Sequence, residues 1–188
     1  MPLWAAVTEP TVPTVLFVGT WQNRKRGGEL AREFQSAVLT AMPEAKLEMV
    51  CRDAPADPGR GINVLGELTD AQLVEAYQRA WVFCLPSVYE GFGIPYAEAM
   101  VSGLPVVATP NIGARYVTDN GKAGVLSPLD DIGESLRDLL DNPARQRELT
   151  GLSIERGKLF TLERVVDEYE KLYAVPGDVV TLHDQSLA

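Results

Sequence analysis

The chain has 188 residues, 46% hydrophobic and 23% charged, which suits one globular domain with a proper core or a marginal pair. Its formal net charge of −9 argues against nucleic acid, whose affinity for proteins comes largely from neutralised phosphates. No apolar run reaches the roughly 18 residues of a membrane span, and the start, with Glu9 and several prolines, carries no basic leader, so a cytoplasmic protein is expected.

Residues 1–13 read as a linker or N-terminal arm, 14–174 as one domain and 175–188 as a loosely ordered tail. Val15 to Gly19 is a short β-branched run suited to a strand buried on both faces. Gly27-Gly28 precedes a helical pattern through Leu30, Phe34, Val38 and Leu39 that ends near Pro43. Lys46 to Cys51 reads as the second strand, a Pro/Asp/Gly loop runs to Gly61, and Ile62 to Leu65 reads as the third. Thr69 or Asp70 caps a helix through Leu73, Ala76 and Tyr77. Trp81 to Leu85, Pro105 to Ala108 and Gly124 to Leu126 are further strands. Between the first two lies a helix from Pro95 to about Ser102, with Gly103 at its stop. Asp130 to Tyr173 is helical in pattern, interrupted at Pro143 and Gly157, with Asp130-Asp131 as N-cap and dipole support. Strands alternating with helices predict an α/β protein: a Rossmann-like, doubly wound, mostly parallel sheet with helices on both faces. Cys51 and Cys84 each end an apolar run and are expected to be buried thiols in a reducing compartment rather than a disulfide.

In such sheets ligands sit at the carboxyl ends of the strands, which puts Gly19–Gly28, Arg52–Gly61, Gly66–Thr69, Ser87–Pro95 and Thr109–Gly113 at the site. The first loop holds Arg24-Lys25-Arg26, either a solvated basic loop or a set of cations that neutralises a diphosphate. It has neither the dinucleotide glycine fingerprint nor a Walker A motif. In the fourth loop Glu90 and Glu98 flank Gly91-Phe92-Gly93-Ile94-Pro95. The glycines let backbone N–H groups approach a ligand, and the helix opened by Pro95 favours negative charge there. Two carboxylates beside an anion site make sense if the ligand also offers hydroxyls, as a sugar nucleotide does. Taken singly, Glu90 is compatible with an ordinary loop charge and Glu98 with a dipole-compensating surface residue. Trp21 fits both stacking on a ligand and lying on the surface. The only histidine, His183, falls in the tail. There is no C-x-x-C pair, no metal-spaced cluster and no nucleophile elbow.

The run Pro86-Ser87-x-Tyr89-Glu90-Gly91-Phe92-Gly93-Ile94-Pro95-x-x-Glu98-Ala99-Met100-x-x-Gly103-x-Pro105-Val106-Val107-Ala108 resembles the signature of retaining, GT-B fold glycosyltransferases of carbohydrate-active family four. Agreement continues in Phe17-Val18-Gly19, Leu65-Gly66, Gly124-Val125-Leu126 and Tyr169-Glu170-Lys171-Leu172-Tyr173, so the resemblance covers about Thr14 to Tyr173. It implies the C-terminal, donor-binding half of such an enzyme, binding a nucleoside diphosphate sugar of UDP or GDP type and transferring a hexosyl group to a saccharide, lipid or small-molecule acceptor. Carried over residue by residue, Glu90 contacts the donor sugar hydroxyls and Glu98 the ribose. Amides around Gly93 and Ile94 hold phosphate, Lys25 and Arg24 supply positive charge, and Gly19, Leu65, Gly91 and Phe92 line the donor site. No cofactor or metal is implied.

The resemblance covers none of the family's acceptor-binding N-terminal domain, so the chain is expected to be inactive alone, with an open surface that supports weak self-association. Membrane-peripheral placement is expected only of a full-length enzyme. The alternative is a non-catalytic nucleotide-sugar-binding module that works with a partner chain. Two departures stand out: Thr20 follows Gly19 where the family usually has Arg, and Cys51-Arg52-Asp53 replaces glycines often found after the second strand.

Overall fold

The computed structural model describes residues 12–174. Six strands, β1 (Thr14–Val18), β2 (Lys46–Val50), β3 (Ile62–Val64), β4 (Val82–Leu85), β5 (Val106–Ala108) and β6 (Val125–Leu126), form one sheet in the order β3-β2-β1-β4-β5-β6. Every pairing is parallel, and Val15 stands opposite Leu47 on one side and Val82 on the other. The strand order reverses between β1 and β4. That junction is where an open α/β sheet leaves a crevice at its carboxyl edge.

The helical elements are α1 (Gly27–Glu33), continued by a π-helical stretch (Phe34–Val38) into α2 (Leu39–Ala41), then α3 (Asp70–Arg79) and α4 (Ile94–Val101). They are followed by α5 (Ile112–Val117), α6 (Ile132–Leu140), α7 (Pro143–Gly157) and α8 (Leu162–Ala174). Parallel crossovers are right-handed, so connections leading from β1 to β2 and from β4 to β5, which travel in opposite directions, put their helices on opposite faces. Accordingly α6 packs on α1 and the π-helical stretch, while α7 packs on α4. This is why β1, β4 and β5 show no polar alternation: Val15, Leu16, Phe17, Phe83, Leu85 and Val107 are all fully buried.

Local sequence explains most element ends. Thr69 starts α3 through a capping box in which its side chain accepts from Gln72 N and Gln72 Oε1 accepts from Thr69 N. Gly103, at φ +77°, closes α4, with its own N–H bonded to Met100 O and that of Leu104 to Ala99 O. Three details differ from the sequence reading. Helix α4 begins at Ile94, with Pro95 one place in. Helix α5 occupies part of a stretch expected to be loop, because Asn111 caps it by accepting from Ala114 N at 2.9 Å. Asp130 and Asp131 lie in a 3-10 turn, and Asp131 at the α6 N-cap makes no side-chain cap bond, so their support is electrostatic.

Cys51 and Cys84 are buried free thiols. Among the described residues no helix is long and apolar enough to cross a membrane. The tail expected over 175–188, with His183, and all of the expected arm except residues 12 and 13 lie outside the described residues.

Two glycines of α7 give opposite expectations. A Cβ on Gly157 would stand 2.7 Å from Met100 O, whereas one on Gly151 would meet nothing within 4 Å. Gly157→Ala should therefore destabilise the chain by about 1–3 kcal/mol through overpacking against α4. Gly151→Ala should stabilise it by about 0.5–1 kcal/mol through helix propensity. Urea melts of both variants check the pair of signs.

Candidate functional site

The site begins with two neighbouring strands. Beyond β1 the chain turns at Gly19 into a 3-10 turn (Asn23–Lys25), and beyond β4 it enters the Ser87–Gly93 loop. Gly19 is needed for close approach rather than for its φ: a Cβ there would lie 2.9 Å from the Phe17 ring and 3.2 Å from Lys25 Cβ. Its absence lets the Lys25 stem lie against the strand end, half-buried, with its ammonium turned toward the second loop. Lys25 Nζ and Arg24 NH1 each reach Glu90 Oε1 at 2.6 Å, and Ser87 Oγ donates to the same oxygen at 2.8 Å. The backbone makes the same connection, Val88 N donating to Arg24 O at 2.8 Å.

Glu90 is only 7% exposed. Burial pushes its carboxyl up, but the Lys25 ammonium, the Ser87 hydroxyl and the Arg24 guanidinium outweigh that and hold it below the usual carboxylate range. At neutral pH the site is therefore an ionised, charge-compensated cluster at the switch point.

A buried polar network holds the second loop. Ser87 O accepts from Thr109 Oγ1 at 2.5 Å and from Asn111 Nδ2 at 3.1 Å. Tyr96 OH donates to Leu85 O at 3.0 Å and accepts from Asn111 Nδ2 at 3.1 Å. Gly113 N donates to Glu90 O at 2.9 Å, and a Cβ on Gly113 would strike Phe92 O at 2.6 Å. The loop thus lies directly on the start of α5. None of Thr109, Asn111 and Tyr96 stood out as a site residue in the sequence, although Asn111 before Ile112, Ala114 and Val117 is a readable N-cap signal.

The first loop has its own clamp. Asp53 accepts from Trp21 N at 2.7 Å, Gln22 N at 3.3 Å and Cys51 Sγ at 3.1 Å. The Trp21 amide and the Cys51 thiol keep its carboxyl below the usual range. At the Cys51-Arg52-Asp53 departure after β2, Asp53 thus ties down the start of the basic loop. Trp21, half-buried, lies over Gly28, whose Cβ would meet its ring nitrogen at 2.9 Å. The first amides of α1 are already spoken for, Gly28 N donating to Trp21 O at 2.9 Å and Gly27 N to Thr20 O at 3.3 Å.

Glu98 sits apart from that cluster, half-buried in the second turn of α4, where its Oε2 accepts from Tyr77 OH at 2.8 Å. Gly93, at φ +84°, is the N-cap of α4, and a Cβ would overlap the Tyr96 ring, so this position requires glycine. Ile94 and Phe92 are exposed, and Phe92 meets Phe160 edge-on at 5.6 Å and Tyr116 at 5.9 Å. Gly91 is exposed, and Leu65, just past β3, packs against the core with its N–H bonded to Met49 O. The structure thus brings together Gly19, Arg24, Lys25 and Glu90, puts Gly91, Phe92, Gly93 and Ile94 on the adjoining loop, and holds Glu98 and Leu65 separately. Among the described residues no group of three or more His, Cys, Asp or Glu could hold a metal ion.

The model described as glycosyl transferases group 1 matches residues 12–142. A D-inositol 3-phosphate glycosyltransferase of Corynebacterium diphtheriae is 28% identical over 193 residues, covering 92% of this chain and 45% of its own. Sucrose-phosphate synthase from Thermosynechococcus elongatus superposes with a TM-score of 0.74 at 26% identity, covering 88% of this chain and 46% of that one. The C-terminal domain of a glycosyl transferase group 1 family protein from Francisella tularensis superposes with a TM-score of 0.71 at 17% identity, covering 87% of this chain and 97% of that one. The chain spans about half the length of the curated relatives it matches.

The charge cluster makes a signed prediction. Because the folded-state value for Glu90 is lowered, its contribution to stability is fully present above the ordinary value of about 4.3 and is lost as pH falls through the folded value. Carbon-detected NMR should place the Glu90 midpoint below that ordinary value. Lys25→Met should move it up, since burial stays and the largest compensating partner goes.

Proposed function

Since the chain belongs to the glycosyl transferases group 1 family and carries a Rossmann-like domain of the GT-B type, we propose that it binds the nucleoside diphosphate sugar donor of a retaining hexosyltransferase. The observation that carries this reading is the convergence of Lys25, Arg24 and Glu90 at the carboxyl ends of β1 and β4, the sheet's switch point. In glycosyl transfer, negative charge grows on the departing diphosphate, and fixed cations placed there lower the barrier. Lys25 and Arg24 take that role, with the N-terminus of α4 behind them contributing its positive dipole end. Glu90 accepts from hydroxyls of the transferred sugar, and Glu98 from those of the ribose. The leaving group is served by side-chain cations, so the proposal includes no metal and no cofactor. UDP and GDP sugars are the donor classes to test, and saccharides, lipids and small molecules the acceptor classes. The inositol phosphate in the name of the Corynebacterium relative makes a phosphorylated polyol the first acceptor to try.

Both cations lie on Glu90 Oε1. A diphosphate that draws Lys25 and Arg24 away frees the carboxylate at the place where the sugar arrives, so cation release and sugar recognition are one exchange of partners. This sets an order of effects along the ligand. Lys25→Met weakens UDP or GDP binding by about 1–3 kcal/mol, the size of a charge-assisted contact, and weakens the monophosphates less. Glu90→Gln weakens the sugar-bearing donors but leaves the bare diphosphate as tight or tighter, because a competitor for the cations is gone. Isothermal calorimetry with UMP, UDP, GMP, GDP and their sugars decides both. Equal loss for mono- and diphosphate in Lys25→Met overturns the phosphate assignment.

With about half the length of its relatives, the isolated chain is proposed to bind donor without transferring it, because near-attack geometry needs an acceptor held against the sugar. Incubation of the pure chain with sugar nucleotides and acceptors should give no product above blank, and robust transfer would overturn this half-enzyme reading.

A further inference from the structure

One buried group beside Glu98 has been given no role in the donor reading above. Tyr77, on α3, is 3% exposed, and its ring packs on Phe83 with centroids 5.7 Å apart. Its hydroxyl donates to Glu98 Oε2 at 2.8 Å, with a longer approach to Pro95 O at 3.5 Å. Burial and the adjacent Glu98 carboxylate push the phenol well above its ordinary range, which favours the protonated, donating hydroxyl. Beside the pair lies a cavity of about 890 Å³ between α3, α4 and the start of α8, walled by Leu73, Val74, Ile94 and Val101, with Tyr77 and Glu98 on its lining. A carboxylate on a helix surface ordinarily samples several rotamers. This one is tied to a neighbouring helix through one of its two oxygens.

We propose that Tyr77 is a positioning residue for nucleoside recognition: its hydroxyl, bonded to Glu98 Oε2, holds the carboxylate so that Glu98 accepts from the vicinal hydroxyls of a ribose, making the site selective for ribonucleotides. This rests on the donor-site reading, in which Glu98 meets the ribose. The reasoning is one of preorganisation. A vicinal diol offers two donors in a fixed relation, and a carboxylate already fixed in orientation loses little side-chain freedom on receiving them. Without the Tyr77 hydroxyl the carboxylate is free to turn, and the diol has to order it.

The test compares GDP and UDP with their 2′,3′-dideoxy analogues by calorimetry, on the wild-type chain and on Tyr77→Phe. Tyr77→Phe keeps the ring against Phe83 and removes only the hydroxyl. The wild-type chain should prefer the ribonucleotides by roughly tenfold or more, the weight of one charge-assisted hydrogen bond. Tyr77→Phe should lose most of that preference by weakening GDP and UDP about tenfold while leaving the dideoxy analogues unchanged. Tyr77→Phe added to Glu98→Ala should cost nothing further. A merely structural role for Tyr77 would lower affinity for both ligand series alike, and that result overturns the inference, as does unchanged GDP affinity. Should Tyr77→Phe not fold, the wild-type Tyr77 hydroxyl proton serves instead: its NMR resonance should shift on adding GDP and not on adding the dideoxy analogue, and the same shift with both overturns the inference. If GDP and UDP bind the wild-type chain and Lys25→Met weakens them while the Tyr77 outcomes fail, the inference falls and the donor-site reading stands. If neither nucleotide binds the wild-type chain, both fall.

Discussion

Among the described residues Glu90 is the one charged side chain that is buried, and the arrangement of the site follows from the need to compensate it. A carboxylate withdrawn from water is tolerated only with partners of opposite charge and hydrogen bonds to its oxygens. Lys25, Arg24 and Ser87 supply these from two loops that leave adjacent strands. The ion pair therefore does two things: it keeps a charge inside the fold, and it joins the ends of β1 and β4 across the switch point. Gly19 is small because the Lys25 stem has to pass it. Gly113 is small because the loop carrying Glu90 rests on it.

The rest of the loop is fixed by neutral hydrogen bonds with no slack. The two lone pairs of Ser87 O are taken by Thr109 and Asn111, and Asn111 spends its amide on both the loop and Tyr96 while its carbonyl caps α5. Such a network is rigid as a unit, since removing any member leaves a buried partner unsatisfied. A rigid frame around an ion pair suits the donor site proposed above: there the frame would keep its shape while Lys25 and Arg24 change partner, confining reorganisation to two long, flexible side chains.

Beyond the site, the tip of the loop is tied to α5 and to the turn that follows α7. Phe92, Tyr116 and Phe160 form an aromatic cluster with centroid separations of 5.6 to 6.2 Å. Arg156 lies over Tyr116 and Phe160 while donating to the carbonyls of Tyr116 and Val117 at the end of α5. The packing of α7 on α4 is thereby coupled to the position of Phe92. Helix α8 continues from this cluster with Leu162 and Leu172 exposed, at 77% and 71%, so its apolar stripe contributes little to the core described here.

The sequence by itself determined the strands, most of the helices and the membership of the two key loops, because these depend on short-range signals: unbroken apolar runs for strands buried on both faces, glycine and proline at turns, and a long ungapped motif. It also named Glu90, Lys25, Arg24 and Glu98. Only the tertiary structure decided how they pair. Glu90 and Lys25 are far apart in the chain and meet because β1 and β4 are neighbours in the sheet, a relation that depends on topology. The same holds for Asp53, which reaches back to the amides of Trp21 and Gln22, and for Tyr77, which finds Glu98 across two helices. Helix α5 was missed because six residues give too short a period to read, and much of its support comes from distant partners, Glu90 O at Gly113 N and Arg156 at its last carbonyls. Periodicity and turn chemistry are local and legible in one dimension. Charge compensation of a buried group is a property of three-dimensional neighbours, and so had to be found in the fold.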